Sequence, residues 1–444
     1  MRSLVRIVVA SLFAASSQAA YARDGESWVV AWTGSVQGPY PVGNPSVQPD
    51  LKFAFPDPSV SARDQTFRLM VRPDLWGRQA RIRLSNAFGT RPVTFDGVYA
   101  GLQWASAALM RGSNRAVTFG GKPSVTVPPG GSAWSDPVAL PFVKQPDDLA
   151  GRRLAVSFHV TGESGPMTWH AKALTTSYVT APGAGALGAS EDEKAFPYTS
   201  ASWFFLDAVE MTDGAFAIMA FGDSITDGTA STMNGDDRWP DVLSRRLKAI
   251  YGNKVAVVNG GIGGNQVVGP PDYGPDKPFP GGPAAVQRLD RDVLTLSGIS
   301  GLIWLEGIND FSKNGNATVE QVVAAMKDGV ARLRAKRPQM RVIGATVTSA
   351  LGSSSAAHGF PEQDAKRKAL NEFIRTSGTF DGVIDFDHAV LDAQSGGLKP
   401  EFVPESTTGG AGDKLHPNRT GYLAMGESID LDLFKPGRRN RGAK

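Results

Sequence analysis

A serine at position 224 stands in a setting that could make it a nucleophile. It belongs to a Gly-Asp-Ser triplet at residues 222–224, directly after an apolar run that predicts a buried strand. In open α/β sheets, ligand sites lie beyond the carboxyl ends of the strands, so a serine in this Gly-bounded turn is well placed for chemistry. A serine hydroxyl is unreactive at its ordinary pKa and needs a base within hydrogen-bond reach. If Ser224 is a nucleophile, another segment of the chain must supply that base.

An Asp-x-x-His segment near the end of the chain supplies a candidate base. Asp413 and His416 are three residues apart, and this separation lets both side chains face the same way within one turn. The carboxylate can then hold the tautomer of the imidazole while the other ring nitrogen accepts the proton of a serine. Ser224, His416 and Asp413 together predict nucleophilic acyl transfer.

Acyl transfer also needs hydrogen-bond donors aimed at the developing oxyanion. Residues 259–265 (Asn-Gly-Gly-Ile-Gly-Gly-Asn) follow a second predicted strand and offer backbone N–H groups. Residues 307–310 (Gly-Ile-Asn-Asp) follow a third predicted strand and offer the side-chain amide of Asn309. Residue types alone leave open which glycine of the first segment donates.

These four blocks resemble those of the SGNH/GDSL hydrolases. Gly-Asp-Ser, a glycine, Gly-x-Asn-Asp and Asp-x-x-His occur in the order of that family, across roughly residues 215–435. The first block continues with Ile-Thr at residues 225–226 where the family name implies Leu-Ser, a change that keeps size and polarity. The wider sequence around the blocks resembles a branch of arylesterases and acylhydrolases, some of which occur alongside polysaccharide-degrading enzymes.

The resemblance implies a role for each residue of the four blocks. Ser224 corresponds to the nucleophile and to one oxyanion donor, and Gly264 and Asn309 correspond to the other donors. His416 corresponds to the general base and Asp413 to the group that orients it. The nearby carboxylates are expected to support the turns of the active site, and these are Asp223, Asp227 and Asp310.

No cofactor or metal is expected for this chemistry. Asp385, Asp387 and His388 have metal-ligand side chains, but their position at the end of a predicted strand favours a simple strand end and loop. The remaining histidines lack partners at ligand spacing, and these are His159, His170 and His358. The chain has no cysteine, which excludes disulfides and thiolate metal sites.

The elements that must position these residues predict a three-layer α/β/α domain with a mainly parallel sheet. Buried apolar runs alternate with amphipathic stretches in the second half of the chain, as in α/β proteins. In the clearest helix, apolar residues recur on one face from Val319 to Leu333. Thr318 and Gln321 form a capping box at its start, and Pro338 follows its end.

The first half of the chain predicts a β-sandwich of jelly-roll type. Short runs rich in β-branched and aromatic residues are separated by Gly, Pro and Asn, and residues 153–160 alternate as if one face were wet. A Gly/Ala-rich stretch at 181–190 predicts a loop or flexible connection. We assign residues 23–212 to this accessory domain, 213–437 to the hydrolase domain and 438–444 to a basic tail.

Residues 1–22 predict a cleavable signal peptide. Arg2 and Arg6 precede a short apolar stretch, and Ala20-Tyr21-Ala22 offers a small-x-small site for cleavage after Ala22. Secretion or export to the periplasm is therefore expected. No later apolar segment is long enough for a membrane span. The formal net charge of +3 gives no support for nucleic-acid binding.

The expected function is the hydrolysis of short acyl esters, with acetyl esters on carbohydrates as the first candidates. Seven of the nine tryptophans precede residue 213, where burial in a sandwich core is the default and stacking on sugar rings the alternative. Two other functions remain open. One is a lipid-directed esterase or lysophospholipase on the same scaffold, and the other is a carbohydrate-binding protein with an inactive hydrolase domain.

Overall fold

The computed structural model of the chain describes residues 27–57 and 61–435. The predicted signal peptide at residues 1–22 and the predicted tail at residues 438–444 lie outside the described residues. Within the described ranges, every helix is too short or too polar to cross a bilayer.

The first half of the described chain consists of β-strands joined by loops. Its strands are β1 (Val29–Thr33), β2 (Arg63–Val71), β3 (Gln79–Ser85), β4 (Val93–Ala105), β5 (Ala108–Leu109), β6 (Arg115–Ala116), β7 (Val125–Val127), β8 (Ser132–Trp134), β9 (Val138–Ala139), β10 (Leu154–Glu163), β11 (Trp169–His170), β12 (Ser177–Val179), β13 (Tyr198–Ser200), β14 (Trp203–Phe204) and β15 (Leu206–Met211). Of the two larger antiparallel sheets, one has the order β1-β15-β3-β8 and the other has the order β13-β12-β2-β10-β4-β5, and β11 pairs with β14 in a small third sheet.

The two sheets of this half share an aromatic core, as in a sandwich. Phe67 on β2 stacks on Phe158 of the neighbouring β10 with ring centroids 5.4 Å apart. Phe95 on β4 meets Phe205, next to β15 of the other sheet, edge to face at 5.2 Å. These side chains are fully buried, and aromatic pairs in such geometry add to the apolar burial that drives the sheets together.

The prediction that one face of β10 is exposed to solvent is wrong, because all residues from Leu154 to Val160 are buried. The outer face of the sheet is covered by the Gly/Ala-rich loop at 181–196, which lies inside the β half. The buried Arg68 side chain donates to the carbonyl of Ala107 at 2.7 Å and to that of Ser190 in the loop. The polar residues of β10 have hydrogen-bond partners beneath this loop, so both faces of the strand can be buried.

The second half of the described chain is an α/β unit. Its strands are β16 (Phe216–Gly222), β17 (Val255–Gly261), β18 (Ile299–Leu305), β19 (Arg341–Ala345) and β20 (Gly382–Ile384). They form one sheet in the order β17-β16-β18-β19-β20, and all its pairings are parallel. Its helices are α1 (Ser224–Asp227), α2 (Trp239–Tyr251), α3 (Ala285–Leu289), α4 (Val319–Lys336), α5 (Pro361–Thr376), α6 (Phe386–Val390) and α7 (Arg419–Ser428).

Helices cover both faces of this parallel sheet. Alternate residues of β16 point to opposite faces: Met219 belongs to the apolar cluster that includes α4 and α5, and Ile218 belongs to the cluster that includes α2 and α7. The capping box predicted at Thr318 and Gln321 is present at the start of α4. The unit is therefore three-layered, and the carboxyl ends of its strands meet at one edge.

The two halves pack on each other through buried polar contacts and a continuous apolar core. The buried carboxylate of Asp74 illustrates the polar part of the interface. It accepts a hydrogen bond from the Val257 N–H on β17, from the Ser244 hydroxyl at 2.6 Å and from the Lys248 ammonium at 2.7 Å. A carboxylate satisfied this fully can be buried between the halves without an uncompensated charge.

Candidate active site

The nucleophile candidate is placed by a tight turn at the end of β16. A Cβ added to Gly222 would lie 2.2 Å from the carbonyl oxygen of Leu305 on β18, so only glycine allows this close approach. Helix α1 then begins at Ser224, and Asp223 caps it by accepting the Ile225 N–H at 2.9 Å. Ser224 therefore sits at the first turn of a helix, at the carboxyl edge of the sheet.

The structure brings the predicted serine, histidine and aspartate into one hydrogen-bonded chain. His416 Nε2 lies 2.8 Å from Ser224 Oγ, and His416 Nδ1 lies 2.6 Å from Asp413 Oδ2. A carboxylate only accepts hydrogen bonds, so Nδ1 of the neutral ring carries the hydrogen and the lone pair of Nε2 faces the serine hydroxyl. This arrangement can remove the proton from Ser224.

Asp413 is locked in place by its own backbone neighbourhood. Its second oxygen, Oδ1, accepts the N–H groups of Leu415 and His416, each at 2.9 Å. Burial alone would raise the pKa of Asp413, but the hydrogen bond and charge of His416 and these backbone donors hold that pKa well below its usual range. The group is therefore an anion with a fixed orientation whenever His416 is in place.

The glycines after β17 differ in whether their backbone N–H groups are already hydrogen-bonded within the protein. The Gly263 N–H donates to Asp227 Oδ2 at 2.9 Å, and the Gly261 N–H donates to Asn259 Oδ1 at 2.9 Å. Within residues 27–57 and 61–435, nothing accepts the N–H of Gly264, which adopts a φ of +86°. The Gly264 N–H is thus free for a ligand.

Two more donors face the same space. The N–H of Ser224, at the first position of α1, likewise has no acceptor in the described ranges of the chain. The side-chain nitrogen of Asn309 donates one hydrogen to the Asn265 carbonyl at 2.9 Å, which leaves its second hydrogen available. Ser224, Gly264 and Asn309 all line one cleft. This set of donors can receive a negatively charged oxygen.

Two of the predicted supporting carboxylates hold the glycine loop. Asp310 accepts the N–H groups of Val267 at 2.8 Å and Val268 at 3.0 Å, and Asp227 accepts that of Gly263. Burial raises the pKa of Asp310 to about 7 against these hydrogen bonds. Burial also raises the pKa of the third carboxylate, Asp223, to about 7, opposed by its hydrogen bond from the Ile225 N–H.

A buried arginine that the motifs do not include ties the strand ends together. Arg288 on α3 donates to the carbonyl oxygens of Gly222 at 2.9 Å and Gly260 at 2.7 Å, and to Asn265 Oδ1 at 2.7 Å. Its charge is balanced by Asp292 at 3.0 Å. Arg288 thus fixes the ends of β16 and β17 relative to the loop that presents Gly264. An arginine inside a helical pattern carries no sequence signal for this role.

The β half of the chain supplies part of the site. Asn44 donates to the Gly263 carbonyl at 2.8 Å, so it grips the same glycine loop from the opposite side. The ammonium of Lys172 contacts the hydroxyl of Thr229, just after α1, and borders the cleft. Burial lowers the pKa of Lys172, although the carboxylate of Asp227 opposes the shift. The first half therefore forms a wall of the cleft.

His170 from the β half is buried beneath the site and is hydrogen-bonded to Asp227. Its Nδ1 lies 2.8 Å from the Ser35 carbonyl, and its Nε2 lies 3.2 Å from Asp227 Oδ1. Each of these partners is an acceptor, which favours the protonated imidazole, in which both ring nitrogens donate. Burial opposes this charge, but the Asp227 carboxylate and the hydrogen bonds raise the pKa of His170 above its ordinary value. The hydrogen-bond partners of His170 come from segments distant in the chain, so its sequence neighbourhood gives no sign of them.

The cleft has a volume of about 540 Å³, and most of the side chains that line it are polar. Its apolar lining is limited to a few side chains, among them Pro45, Phe279, Pro280 and Leu415. No tryptophan of the described ranges lines it, and four tryptophans of the β half are buried, namely Trp32, Trp76, Trp169 and Trp203. Sugar stacking by tryptophan therefore has no support at this cleft.

The carboxylates of Asp385 and Asp387 form ion pairs. Asp385 pairs with Arg375 at 2.9 Å, and Asp387 pairs with the buried Arg367 at 2.7 Å. No group of three or more His, Cys, Asp or Glu side chains in the described part of the chain is arranged to hold a metal ion. The prediction of a loop here is wrong, because Asp387 and His388 lie on α6, where Asp385 caps the helix by accepting the His388 N–H; the His388 side chain is exposed.

Comparison with known proteins finds a family match in the second half of the chain, which carries the loops of the cleft. Residues 220–424 match the GDSL-like Lipase/Acylhydrolase family. No curated protein matches the chain. Among solved structures, the chain is similar to a lipase/acylhydrolase from Enterococcus faecalis, with 21% identity over 50% of this chain and 100% of that one and a TM-score of 0.36.

Two other solved structures cover a similar share of the chain. A carbohydrate acetylesterase from Sinorhizobium meliloti is 13% identical over 48% of this chain and 95% of that one, with a TM-score of 0.36. The native aryl esterase of M. smegmatis is 16% identical over 48% of this chain and 96% of that one, with a TM-score of 0.37.

Proposed function

Because the chain is a carboxylic ester hydrolase of the SGNH/GDSL superfamily, we propose that it cleaves short acyl esters through Ser224, His416 and Asp413. The observation that carries this proposal is the continuous chain of hydrogen bonds from Ser224 Oγ through the imidazole to the Asp413 carboxylate. The preferred substrates in this proposal are acetyl esters on carbohydrates.

In the first half of the reaction, Ser224 Oγ attacks the carbonyl carbon of the ester. His416 Nε2 takes the hydroxyl proton as the Oγ–C bond forms, and Asp413 stabilises the resulting imidazolium. The carbonyl oxygen becomes an oxyanion, for which the N–H groups of Ser224 and Gly264 and the Asn309 amide are the donors. The tetrahedral intermediate collapses when His416 returns its proton to the departing alcohol, and an acyl-serine remains.

In the second half of the reaction, water is the nucleophile and Ser224 Oγ is the leaving group. His416 Nε2 removes a proton from water as the water oxygen attacks the acyl carbon, and the same donors hold the second oxyanion. The carbon–oxygen bond to Ser224 then breaks, Oγ regains the proton from His416, and the free acid leaves. Every proton is returned, so this proposed cycle needs no metal or cofactor.

The polar wall of the cleft supports a short acyl group and a hydroxylated alcohol. Each CH₂ of a long acyl chain is favoured by about 0.8 kcal/mol only if apolar surface buries it. The cleft has few apolar side chains, whereas Asn44, Ser46, Gln266 and Asn314 present hydrogen-bonding groups along it. A sugar alcohol can use these groups over its whole length, and the hydrocarbon part of a lipid cannot.

The test is a chain-length series on the full protein. We expect kcat/KM to be highest for acetyl esters and to fall through butyryl, octanoyl and palmitoyl esters, with acetate released from acetylated xylan or pectin. The Ser224→Ala variant is the control for each substrate. A preference for octanoyl or longer chains with no acetate from any glycan would assign the chain to the lipid-directed esterases. Binding of glycan with no hydrolysis of any ester would indicate an inactive hydrolase domain.

We also propose that the protein is exported and that cleavage follows Ala22. The basic start, the short apolar stretch and the small-x-small site at residues 20–22 support this step. N-terminal sequencing of the protein recovered from the periplasm or medium of its host tests it. A mature chain that still begins at Met1, or retention in the cytoplasm, would contradict it.

A further inference from the structure

A histidine outside the four motifs contacts the proposed oxyanion-hole amide. His358 lies on the loop between β19 and α5, and its Nε2 is 3.2 Å from Asn309 Oδ1. Resting on the proposed function, we propose that His358 is a positioning residue. Its Nε2–H holds the Asn309 carboxamide in the orientation that turns the amide N–H towards the oxyanion.

A carboxamide needs such a hold because its two ends have nearly the same shape. If the Asn309 amide rotated by half a turn, its oxygen would face the oxyanion and repel it. In the observed orientation the nitrogen end donates to the Asn265 carbonyl at 2.9 Å, and the oxygen end accepts from His358. Rotation would place Oδ1 against the Asn265 carbonyl, and it would require His358 to move its hydrogen from Nε2 to Nδ1. The pair of contacts therefore selects one orientation.

The hydrogen-bonding pattern also determines which nitrogen of His358 carries the hydrogen. Asn309 Nδ2 is committed to a carbonyl, so Oδ1 is the atom that faces His358, and Nε2 must be the donor. The other ring nitrogen, Nδ1, lies 3.2 Å from Ser355 Oγ, whose hydroxyl can donate to it. Burial, and then the nearby His416, lower the pKa of His358 to about 4, although Asp413 opposes this shift. The ring is therefore neutral at neutral pH.

The loop that carries His358 is itself tied to both neighbouring motifs. The Ser353 hydroxyl and the Ser354 N–H donate to the Asp413 carbonyl at 2.7 and 3.1 Å. The Lys313 N–H, just after the Asn309 block, donates to the Ala357 carbonyl at 3.1 Å. The loop of His358 is thus hydrogen-bonded both to the segment that follows Asn309 and to the segment that carries His416. These contacts give the imidazole a fixed direction of approach to the amide.

A double-mutant cycle on the full protein tests the proposal. We expect Asn309→Ala to lower kcat by about 10²–10³, the scale for one oxyanion donor. His358→Ala should lower kcat by about tenfold, a part of that loss, and change KM by less than about twofold, because the amide remains present but is no longer held. In the Asn309→Ala background, His358→Ala should have no further effect, since the group it positions is gone.

The conservative variant and a surface histidine serve as matched controls. His358→Gln keeps an N–H donor near the position of Nε2 and should retain most of kcat. His388→Ala removes an exposed histidine far along the chain and should leave kcat and KM unchanged. Thermal unfolding midpoints close to that of the parent protein would show that each variant is folded.

Three results would overturn the positioning role. A His358→Ala loss that persists in full in the Asn309→Ala background would mean that His358 acts on the substrate or on His416. A change confined to KM would make it a substrate-binding residue, and a folded His358→Gln variant no better than His358→Ala would exclude the donor. Failure of the proposed function is distinguishable, because the parent protein would then hydrolyse none of the esters.

Discussion

Replacing Asp413 by asparagine changes one atom and should disable the base by forcing the wrong tautomer. Asp413 Oδ1 accepts the N–H groups of Leu415 and His416, and Oδ2 faces His416 Nδ1 at 2.6 Å. In Asp413→Asn, the single amide oxygen is drawn to the two backbone donors. The introduced NH₂ group then faces Nδ1, which must become the acceptor, so the hydrogen moves to Nε2. An Nε2–H cannot remove the proton of Ser224.

The size of the effect follows from the cost of turning the amide around. A flipped amide would restore an acceptor for Nδ1–H, but its NH₂ group would then oppose the N–H groups of Leu415 and His416. Leaving two backbone donors without an acceptor costs about 1–3 kcal/mol each, or about 2–6 kcal/mol in total. At 1.36 kcal/mol per tenfold change in rate, kcat falls between about 30-fold and about 10⁴-fold. Other triads lose about 10⁴ on this substitution, which favours the upper end.

The decisive comparison is with Asp413→Ala, measured as kcat/KM on an acetyl ester and as the thermal unfolding midpoint. The asparagine variant keeps the acceptor for both backbone donors, so we expect its midpoint to match the parent protein. The alanine variant loses that acceptor and should be less stable, by about 1 kcal/mol per hydrogen bond. Its imidazole can choose either tautomer, so we expect it to be the more active of the two. An Asp413→Asn variant more active than Asp413→Ala would refute the tautomer argument.

Four other predictions concern the nucleophile, the buried acid, the cleft wall and metal dependence. Ser224→Ala should lower kcat by about 10⁶ with an unchanged unfolding midpoint, and residual activity near that of the parent would contradict its role. Burial raises the pKa of Glu306 to about 8, although the charge of Arg288 opposes this shift. The folded state therefore holds the Glu306 proton more tightly than the unfolded chain does. The stability that protonated Glu306 contributes at acidic pH is lost as the pH rises towards 8. Glu306→Gln should therefore raise the unfolding midpoint at pH 9 relative to the parent more than at pH 5, and equal shifts at both values would be against a titrating Glu306. Asn44→Ala removes a hydrogen bond to the Gly263 carbonyl and should lower kcat/KM by about fivefold, corresponding to about 1 kcal/mol, whereas an unchanged value would mean that the β half does not support the loop. Dialysis against a chelator should leave kcat unchanged, and loss restored by a divalent cation would reveal a metal requirement.

Local sequence was sufficient for much of the α/β half. The strand before Ser224 and the helix α4 with its capping box at Thr318 and Gln321 are present as predicted. Such features depend on residues close together in the chain, namely apolar period, caps and breakers. The pattern at residues 153–160 misled for the opposite reason. The alternation shows only that one face of the strand is apolar. The other, more polar face is buried because a loop distant in the chain packs on it.

The contributions to the site that the sequence did not reveal all come from distant segments. Arg288 contacts the end of β16 from 66 residues away, and Asn44 contacts Gly263 from 219 residues away. Neither residue stands in a motif, and arginine and asparagine are common at surfaces. His358 could be suspected only as one of five histidines, and its contact with Asn309 depends on how the loop after β19 folds back.

The amino-acid sequence by itself determined the chemistry of this protein: a serine after a buried strand, an Asp-x-x-His pair and two segments of possible oxyanion donors. Their residue types and order restrict the reaction, because side-chain chemistry is carried by the residue. Tertiary structure alone decided which glycine N–H remains unused, since Asp227 occupies that of Gly263 and leaves that of Gly264 free. It also decided that the β half closes the cleft. Hydrogen-bond donors and walls are matters of distance between remote segments, and that distance exists only once the two halves share one core.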